Sequence, residues 1–362
     1  MKNIPISILC SILILASCSK SDNPKPVEPI PVVEESLKAL STTTIAGGQK
    51  ASLDGAGTTA SFDLISKIAV DKSGIIYVLE FVSINNSLIY KIRKITTDNK
   101  VTTVFNGGTV EFDANNNAIS QNKLYWHLTD IAVDATGNVF ALGHKTDYST
   151  LVANRYVDEW GIFKLNTTNS KLETHFTSKK PSGDGITSTH YFSKFFSGEN
   201  GVFYATVGKE NSNLGKGEVY KINNNTKELI ANVDKMFDDV IFADKSGNVF
   251  IQVPDGISKI SPQKQVTSHY KFEKSSQVSL KEKLTGDISG NLILYGPMFK
   301  TSGDALGDGL YKITNDGKKA PIGKITNSLL NGKMYLNSSN QLIFSPDRIG
   351  SGGSVLMKLL IN

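Results

Sequence analysis

Short hydrophobic runs alternate with segments rich in Gly, Asn and Asp throughout residues 40–362. The runs show no helical periodicity, and their length and composition are typical of β-strands. A pattern of apolar run, turn and second apolar run recurs along the chain. Its clearest copies lie at 68–78, 131–140 and 241–250, and weaker copies lie at 195–204, 285–294 and 334–344. The pattern therefore predicts six repeats.

Each copy predicts a β-hairpin, because Asp or Ser at the start of the turn bonds to the backbone and Gly accepts a positive φ. We assign the turn acids Asp71, Asp134, Asp244 and Asp287 to this role and not to catalysis. A third strand with an apolar-Lys-apolar signature follows most copies, centred on Lys91, Lys164, Lys221, Lys259, Lys312 and Lys358. A fourth strand follows a polar turn, and the mean period is roughly 50 residues. These features predict the four-stranded blades of a β-propeller.

The two ends of the repeat region predict how the ring of blades closes. The last copy stops at its third strand, 355–361, whereas an unassigned strand at 40–46 precedes the first copy. Residues 42–47 match the fourth strand of the first repeat, 101–107. We therefore expect the strand at 40–46 to complete the last blade, which removes the open sheet edges. The predicted fold class is all-β, a six-bladed β-propeller closed by its N-terminal strand.

The repeat also resembles a known family. The Ala-Val-Asp-x-x-Gly-Asn-Val-Phe core at 132–140, the Lys-centred third strand and the Thr-Thr-Ile-Ala-Gly run at 43–47 are similar to NHL repeats. The segment 46–62 is similar to the linker between such blades. The resemblance covers essentially the whole domain, and blades one, two and four carry it most specifically. It implies a propeller and little about function, because such propellers include binding modules, scaffolds and enzymes.

The N-terminus predicts export and a lipid anchor. Lys2, an apolar run at 4–16 and a small-residue site before Cys18 are typical of a signal peptide, and the run is too short to span a bilayer. Residues 15–18, Leu-Ala-Ser-Cys, resemble a bacterial lipobox. The resemblance implies cleavage before Cys18 and acylation of its thiol, for example with palmitate. A plain signal peptide with a chance cysteine is the alternative.

Four prolines between residues 19 and 35 predict an extended tether. We assign residues 1–17 to the signal peptide, 18–39 to the lipidated cysteine and tether, and 40–362 to the propeller. Residues 19–22, Ser-Lys-Ser-Asp, are similar to the signal that sends Bacteroidetes lipoproteins to the cell surface, although one acid stands where two are common. The predicted location is the outer membrane, exposed at the surface, with its inner leaflet as the alternative.

Charge and cysteine content exclude several classes of function. The chain has 39 basic and 34 acidic side chains without a Lys/Arg cluster, which argues against nucleic acid as a partner. Of the two cysteines, Cys10 leaves with the signal and Cys18 carries the lipid. No thiol then remains for a disulfide, a redox motif or a metal site. The membrane is expected to be contacted through the anchor alone.

The connections between strands predict on which face a ligand binds. Turns at one face are short, whereas the opposite face, which we call the long-loop face, carries long connections at 106–128, 143–159, 177–192 and 296–307. Long connections accumulate where function tolerates or needs them. We therefore expect ligand binding at this face, with loops that have simply drifted as the alternative.

Aromatic and basic residues are densest in the second repeat, around Tyr148 and Tyr156. Clustered Trp and Tyr with a nearby Arg suit a sugar ring or an extended peptide. The predicted ligand-binding residues are Tyr125, Trp126, His127, His144, Arg155, Trp160, His190 and Tyr191. Alternatively, Trp126 and Trp160 only fill the gap between blades two and three.

No motif for catalysis or phosphate binding is present, so the sequence favours a protein that is not an enzyme without deciding the question. His127, His144 and His190 fit the ligand count of a zinc site but lack a short fixed spacing. No cofactor is therefore predicted, and a metal is left open. We expect a binding propeller for a glycan, a peptide or an envelope protein. The alternatives are a lactonase or lyase, which the resemblance includes, and an envelope scaffold.

Overall fold

The recurring strand-turn-strand pattern forms six antiparallel β-sheets in the computed structural model. The all-β, six-bladed propeller prediction is confirmed. None of the helices in the described part of the chain has the length and apolarity needed to cross a membrane. The structure describes residues 37–84, 87–108, 124–152, 155–178, 192–198, 201–208, 217–223, 226–234, 241–272, 283–286, 290–299, 305–314, 316–325, 333–337, 339–346 and 353–361.

The strands are numbered in chain order, and a 3₁₀ helix lies at Gly57–Thr59. Within the described residues, β1 (Thr43–Gly47) and β2 (Gly55–Ala56) precede the first repeat. Blades one to three contain β3 (Leu64–Val70), β4 (Ile76–Ile84), β5 (Ser87–Ile95), β6 (Lys100–Asn106), β7 (Leu124–Val133), β8 (Val139–Val152), β9 (Arg155–Asn166), β10 (Lys171–Ser178), β11 (Phe192–Ser197), β12 (Val202–Gly208), β13 (Gly217–Asn223) and β14 (Thr226–Val233). Blades four to six contain β15 (Ile241–Ala243), β16 (Val249–Val253), β17 (Gly256–Ile260), β18 (Val266–Lys271), β19 (Lys283–Gly286), β20 (Leu292–Phe299), β21 (Ala305–Ile313), β22 (Lys319–Gly323), β23 (Lys333–Leu336), β24 (Gln341–Ser345) and β25 (Val355–Leu360).

The sixth sheet combines both ends of the described chain. Its strand order is β23, β24, β25 and β1. Strand β1 is antiparallel to β25, with Thr43 opposite Lys358 and Gly47 opposite Val355. Ile45 and Ala46 are 3% and 0% exposed and belong to the core between blades six and one. The fourth strand of the last blade is therefore β1, the first strand of the described residues.

The blades lie in a ring around one axis. The first strand of each blade contacts the first strands of its two neighbours, in the order β3, β7, β11, β15, β19, β23 and again β3. Each of the six junctions between neighbouring blades has its own hydrophobic cluster. Because a blade buries both of its faces in this way, its inner strands are apolar at almost every position.

The hairpin turns have the predicted chemistry. Oδ1 of Asp71 accepts hydrogen bonds from the backbone N–H groups of Ser73 (2.8 Å) and Ile75 (2.9 Å). Asp134 and Asp244 make the same pair of bonds in blades two and four. Gly74 has a φ of 83°, which the turn requires and which a residue with a Cβ rarely adopts. The assignment of these three acids to turn geometry is confirmed, and Asp287 lies outside the described residues.

Replacing Asp134 by alanine is expected to lower the free energy of unfolding by about 1–2 kcal/mol, because two backbone N–H groups lose their acceptor. Urea denaturation at pH 7 measures this loss. Asp134→Asn is the matched control, since both backbone bonds reach one oxygen of Asp134 and the amide oxygen can still accept them. An alanine variant as stable as the parent would contradict this role.

The difference in stability between the parent and Asp134→Ala is expected to depend on pH. Burial raises the pKa of Asp134, but hydrogen bonds from Asn138 and Thr136 outweigh it and hold the folded pKa below the usual 3.8. A carboxyl group whose pKa is lower in the folded state stabilises the fold fully at pH values above its unfolded pKa. This stabilisation is lost as the pH falls through the folded pKa. The difference between the parent and Asp134→Ala should therefore shrink between about pH 5 and pH 2.

The folded part begins earlier than the sequence indicated. Ala39, which we assigned to the tether, forms a parallel bridge with Lys324, directly after β22. The backbone N–H of Leu40 donates to the Lys324 carbonyl (2.8 Å), and that of Lys324 donates to the Lys38 carbonyl (2.9 Å). Leu37 and Leu40 pack on hydrophobic clusters of blades four to six. These apolar contacts draw 37–39 onto the propeller, whereas 1–36 lie outside the described residues.

The predicted long loop at 143–159 is in fact mostly strand. Strands β8 and β9 continue past the body of blade two and pair as far as Val152 and Arg155. Thr, Tyr and Val residues in this stretch favour a pleated, half-buried surface, which explains the strand. Most of 296–307 likewise lies in β20 and β21. The central parts of the connections at 106–128 and 177–192 lie outside the described residues.

Candidate functional site

Three of the predicted ligand-binding residues form one row across blade two. His127 on β7 is the register partner of His144 on β8, which is in turn the partner of Trp160 on β9. Residues opposite each other in an antiparallel sheet project to the same face. The two imidazole rings stack with centroids 4.9 Å apart, and the His144 and Trp160 rings lie 4.1 Å apart. The sheet thus aligns three aromatic rings.

The buried Tyr90 of blade one packs against the row. This side chain, on β5, lies 5.1 Å from the His127 ring and 6.3 Å from the Tyr125 ring. The Tyr90 and Tyr125 hydroxyl groups are hydrogen-bonded to each other, and burial raises the pKa of both phenols. We call Tyr125, His127, His144 and Trp160 the aromatic row, and Tyr90, which is 3% exposed, lies in the core beside it. Sequence reasoning missed Tyr90, because the repeat does not indicate which residues of blade one contact blade two.

His127 and the tyrosines beside it are uncharged near neutral pH. Burial lowers the pKa of His127 below its usual 6.5, although a hydrogen bond to its own backbone partly opposes the shift. The imidazole of His127 is therefore neutral at pH 7, and the tyrosines keep their protons. Tyr125, His127, His144 and Trp160 are half-buried. Nδ1 of both histidines is buried, so the row offers the exposed parts of its rings and their remaining polar edges.

Trp126 lies in the core and not in the row. Its side chain is 7% exposed and packs edge-on against Phe105 (5.8 Å) and Phe163 (4.9 Å). The cluster it belongs to joins blades one and two, so the gap it fills is not the predicted one between blades two and three. Side-chain direction in a strand depends on register, which the sequence alone did not fix for Trp126. We leave Trp126 out of the site.

For the other predicted ligand-binding residues, a role in binding stays a prediction. Arg155 begins β9 opposite Val152, which places its backbone on the extended hairpin beyond the aromatic row. Tyr148 and Tyr156 also belong to this hairpin. His190 and Tyr191 lie outside the described residues.

A second group of polar side chains, on the propeller axis, was missed by sequence reasoning. Lys67, Asp130, Lys194 and Lys333 lie on the innermost strands of blades one, two, three and six. They share a signal that an alignment of the repeats reveals. Four residues before each turn begins, the six repeats have Lys67, Asp130, Lys194, Val240, Lys283 and Lys333. We call Lys67, Asp130, Lys194 and Lys333 the axial cluster.

β-bulges aim the axial side chains. Register shifts occur immediately before Lys67, Asp130 and Lys194 in blades one, two and three. Ser66 Oγ donates to the Leu79 carbonyl (3.1 Å), and Thr129 Oγ1 donates to the Leu142 carbonyl (3.3 Å), which holds two of these bulges in place. Bulges of this kind turn the following side chain, and they are common beside functional sites.

Charged groups in the axial cluster act on one another. Burial lowers the pKa of Lys67 to about 8, Asp130 opposes this shift, and Lys194 and Lys333 add to it. Groups from four different blades interact only where the inner strands converge, at the axis. Asp130 also accepts backbone hydrogen bonds from Ile131 (3.0 Å) and Phe195 (3.4 Å).

A metal site and a surface cleft were also considered as candidate sites. Among the residues that the structure describes, no three His, Cys, Asp or Glu side chains are grouped to hold a metal ion. Of the three histidines considered for zinc, His127 and His144 are neighbours and His190 lies outside the described residues. A polar cleft of about 310 Å³ lies between blades one and six at the short-turn face, with Asp71, Lys72 and Gln341 in its lining.

Comparisons with known proteins show the fold. No protein-family model matches the sequence, and no curated protein matches it. A gluconolactonase from Xanthomonas campestris has a TM-score of 0.51 at 10% identity, over 88% of this chain and 89% of that chain. Regucalcin from Agrobacterium tumefaciens, a calcium-binding protein, has a TM-score of 0.53 at 8% identity, over 90% and 95%. A protein of unknown function from Bacteroides thetaiotaomicron has a TM-score of 0.52 at 13% identity, over 88% and 75%.

Proposed function

We propose that this protein is a binding propeller that holds a glycan on the aromatic row. The observation that carries the proposal is the contact of His127, His144 and Trp160 in register across blade two, with the half-buried Tyr125 beside them and the buried Tyr90 packed against His127 and Tyr125. Sugar rings present CH-rich faces that pack on aromatic rings, and hydroxyl groups that bond to aromatic polar edges. The row supplies both kinds of contact along one line.

A glycan suits the aromatic row better than a peptide or a protein partner. An extended peptide is held mainly by backbone hydrogen bonds to a free sheet edge, but β7, β8 and β9 are paired with one another along the row. A protein partner needs a broad surface, whereas the row is one side chain wide. A neutral His127 favours hydroxyl groups over charged ones.

The proposed location is the cell surface, with the lipid on Cys18. The small-residue site before Cys18 and the proline-rich tether support it. In cells fed radiolabelled palmitate, the parent protein should be labelled and a Cys18→Ala variant should not. Equal labelling of both proteins would contradict the lipid anchor and leave the binding site unaffected.

Replacing Trp160 by alanine is expected to weaken glycan binding at least about tenfold, which is the loss of ~1.4 kcal/mol or more of stacking on one ring. The measurement is a glycan array with protein of residues 19–362, followed by calorimetric titration of the best ligand. Trp126→Phe is the matched control, because it changes a tryptophan in the core and leaves the aromatic row intact.

Three outcomes decide the proposal. Loss of binding in Trp160→Ala with binding retained in Trp126→Phe supports it. A Trp160→Ala variant that binds glycan as tightly as the parent excludes the aromatic row as the site. Binding to a peptide array in place of a glycan array would assign the long-loop face to a peptide.

A further inference from the structure

We infer that the cleft between blades one and six binds an anionic monosaccharide, which carries a carboxylate or a phosphate group beside its hydroxyl groups. We call it the junction cleft. It is lined by residues of the turns β3–β4 and β5–β6 of blade one and β23–β24 of blade six, and by Lys358 of β25. The junction cleft lies at the short-turn face, opposite the aromatic row, and does not depend on it.

The junction cleft has the size and the walls of a site for a small sugar. Its volume of about 310 Å³ is at the lower end of the range for small-molecule sites, which runs from about 300 to 1,000 Å³. Its floor is aliphatic and belongs to the core between blades six and one, with Ile45, Val70, Ile76 and Ile343. The polar side chains of the turns form its rim. A sugar has the same division between CH-rich ring faces and hydroxyl edges.

Lys358 supplies a cation that the blade itself does not use. In blade two, the equivalent Lys164 lies 6.0 Å from the ring centre of Phe140, its register partner, and blade four has the same arrangement. In blade six the register partner is Ile343, so this ring is missing. Lys358 is half-buried, and it makes no ion pair or hydrogen bond within the described residues. Its ammonium group is thus available to an anionic ligand.

The acid in the cleft lining, Asp71, does not neutralise Lys358. Its Oδ1 accepts two backbone N–H groups of its own turn. Its Oδ2 lies 4.0 Å from the position that a Cβ would take at Gly137, in the turn of blade two, so the carboxylate points away from blade six. Lys72, which also lines the cleft, is exposed and has no ion pair in the described part of the chain. The charges in the lining therefore favour an anion.

Uncharged donors in the junction cleft suit the oxygens of a sugar. Gln341 Oε1 accepts a hydrogen bond from Asn337 Nδ2 at 3.2 Å, which fixes the Gln341 amide. Its Nε2 group donates to no other described residue, and neither do the hydroxyl groups of Ser339 and Thr97. Amide and hydroxyl donors bond to the oxygens of hydroxyl, carboxylate and phosphate groups alike. A lysine, as a point charge, accepts either kind of anion.

Calorimetric titration at pH 7 with glucuronate, glucose 6-phosphate and glucose tests the site. We expect saturable binding of an anionic sugar, at least about tenfold tighter than that of glucose, because glucose lacks the charged contact. Lys358→Gln should weaken this binding at least about tenfold. Lys164→Gln, which changes the equivalent lysine of blade two, is the matched control and should bind like the parent. Tighter binding of glucuronate indicates a carboxylate ligand, and tighter binding of glucose 6-phosphate a phosphate ligand.

Protection from acetylation tests the same contact without a variant, and so decides the question if Lys358→Gln does not fold. The anionic sugar that binds more tightly should slow the acetylation of Lys358 in the parent protein, followed by mass spectrometry. The acetylation of Lys171, an exposed lysine of β10, should not change. Unchanged acetylation of Lys358 at a saturating sugar concentration would exclude the junction cleft.

The results can be separated from those of the glycan experiment. Trp160→Ala should keep the binding of the anionic sugar, and Lys358→Gln should keep the binding of the array glycan. If Trp160→Ala loses the anionic sugar while Lys358→Gln binds it fully, this sugar lies on the aromatic row and the inference is overturned. Equal affinity for glucose and both anionic sugars, or the absence of saturable binding, overturns it as well.

Discussion

Replacing Arg93 by methionine is expected to lower the free energy of unfolding by ~3–5 kcal/mol, which is the usual effect of removing one partner from a buried ion pair. Arg93 on β5 and Glu80 on β4 are both 0% exposed, and Arg93 Nη1 lies 2.6 Å from Glu80 Oε2. Without the guanidinium, the Glu80 carboxylate would remain buried beside a methionine. The variant must therefore keep an uncompensated buried charge or open the site.

Arg93 also holds the segment that joins the last blade to the first. Its Nη2 group donates to the Leu53 carbonyl and to Asp54 Oδ1, both at 2.8 Å. Its Nη1 group donates to Ser52 Oγ at 3.1 Å. Glu80 Oε1 in turn accepts the backbone N–H of Asp63 at 2.6 Å. One buried pair thus binds both ends of residues 52–63, so we expect its loss to loosen the junction of blades six and one.

Urea denaturation at pH 7 measures the effect of Arg93→Met, and two further variants sharpen it. Lys264→Met removes an exposed ion pair with Glu228 and should leave the denaturation midpoint unchanged. The double variant Arg93→Met with Glu80→Met should recover much of the lost stability, because no buried charge remains. A single Arg93→Met variant as stable as Lys264→Met would show that the buried pair does not stabilise this junction.

Removing β1 is expected to abolish cooperative folding or to lower the free energy of unfolding by more than ~3 kcal/mol, since it removes a paired strand and two buried side chains. A chain that begins at Gly48 lacks Ile45 and Ala46, which fill the core between blades six and one. It also exposes the edge of β25, whose unpaired backbone groups favour association between molecules.

The matched control for the β1 truncation is a chain that begins at Leu37. This chain keeps β1 and the bridge from Ala39 to Lys324, so it should melt like the full mature protein. Thermal melting followed by circular dichroism, with sedimentation to detect association, separates the two chains. A chain beginning at Gly48 that is monomeric and equally stable would contradict the role of β1 in the sixth blade.

Most of the fold was predictable because the repeat encodes it several times. Each copy places Asp and Gly at the same turn positions, and the turns at Asp71, Asp134 and Asp244 follow that pattern in detail. The similarity of 42–47 to 101–107 pointed to β1 as a fourth strand, and β1 lies beside β25. Repetition averages out the local ambiguity that limits prediction of a single strand.

The site was only partly predictable, because the pairing register of strands and the direction of their side chains are not local properties of the sequence. His127, His144 and Trp160 were predicted as ligand-binding residues, but their alignment depends on the pairing of β7, β8 and β9. Trp126, one residue from His127, points into the core instead. A shift of one residue reverses the face of a strand, so aromatic density alone cannot separate the two.

The axial cluster and the Arg93 network were missed for a different reason. Each depends on residues that are far apart in sequence, and neither forms a motif. The repeat alignment does place Lys67, Lys194 and Lys333 at one equivalent position. A lysine in a strand usually faces solvent, however, and only the convergence of the inner strands brings these three together.

Tryptophan fluorescence tests the central claim, that the aromatic row is the glycan site, most directly. The chain has two tryptophans, so Trp160 is the sole remaining one in a Trp126→Phe variant. Titration of the glycan found on the array should change the Trp160 emission saturably, with a midpoint equal to the calorimetric Kd. If the glycan binds this variant with full affinity while the Trp160 emission stays unchanged, the ligand lies elsewhere on the propeller.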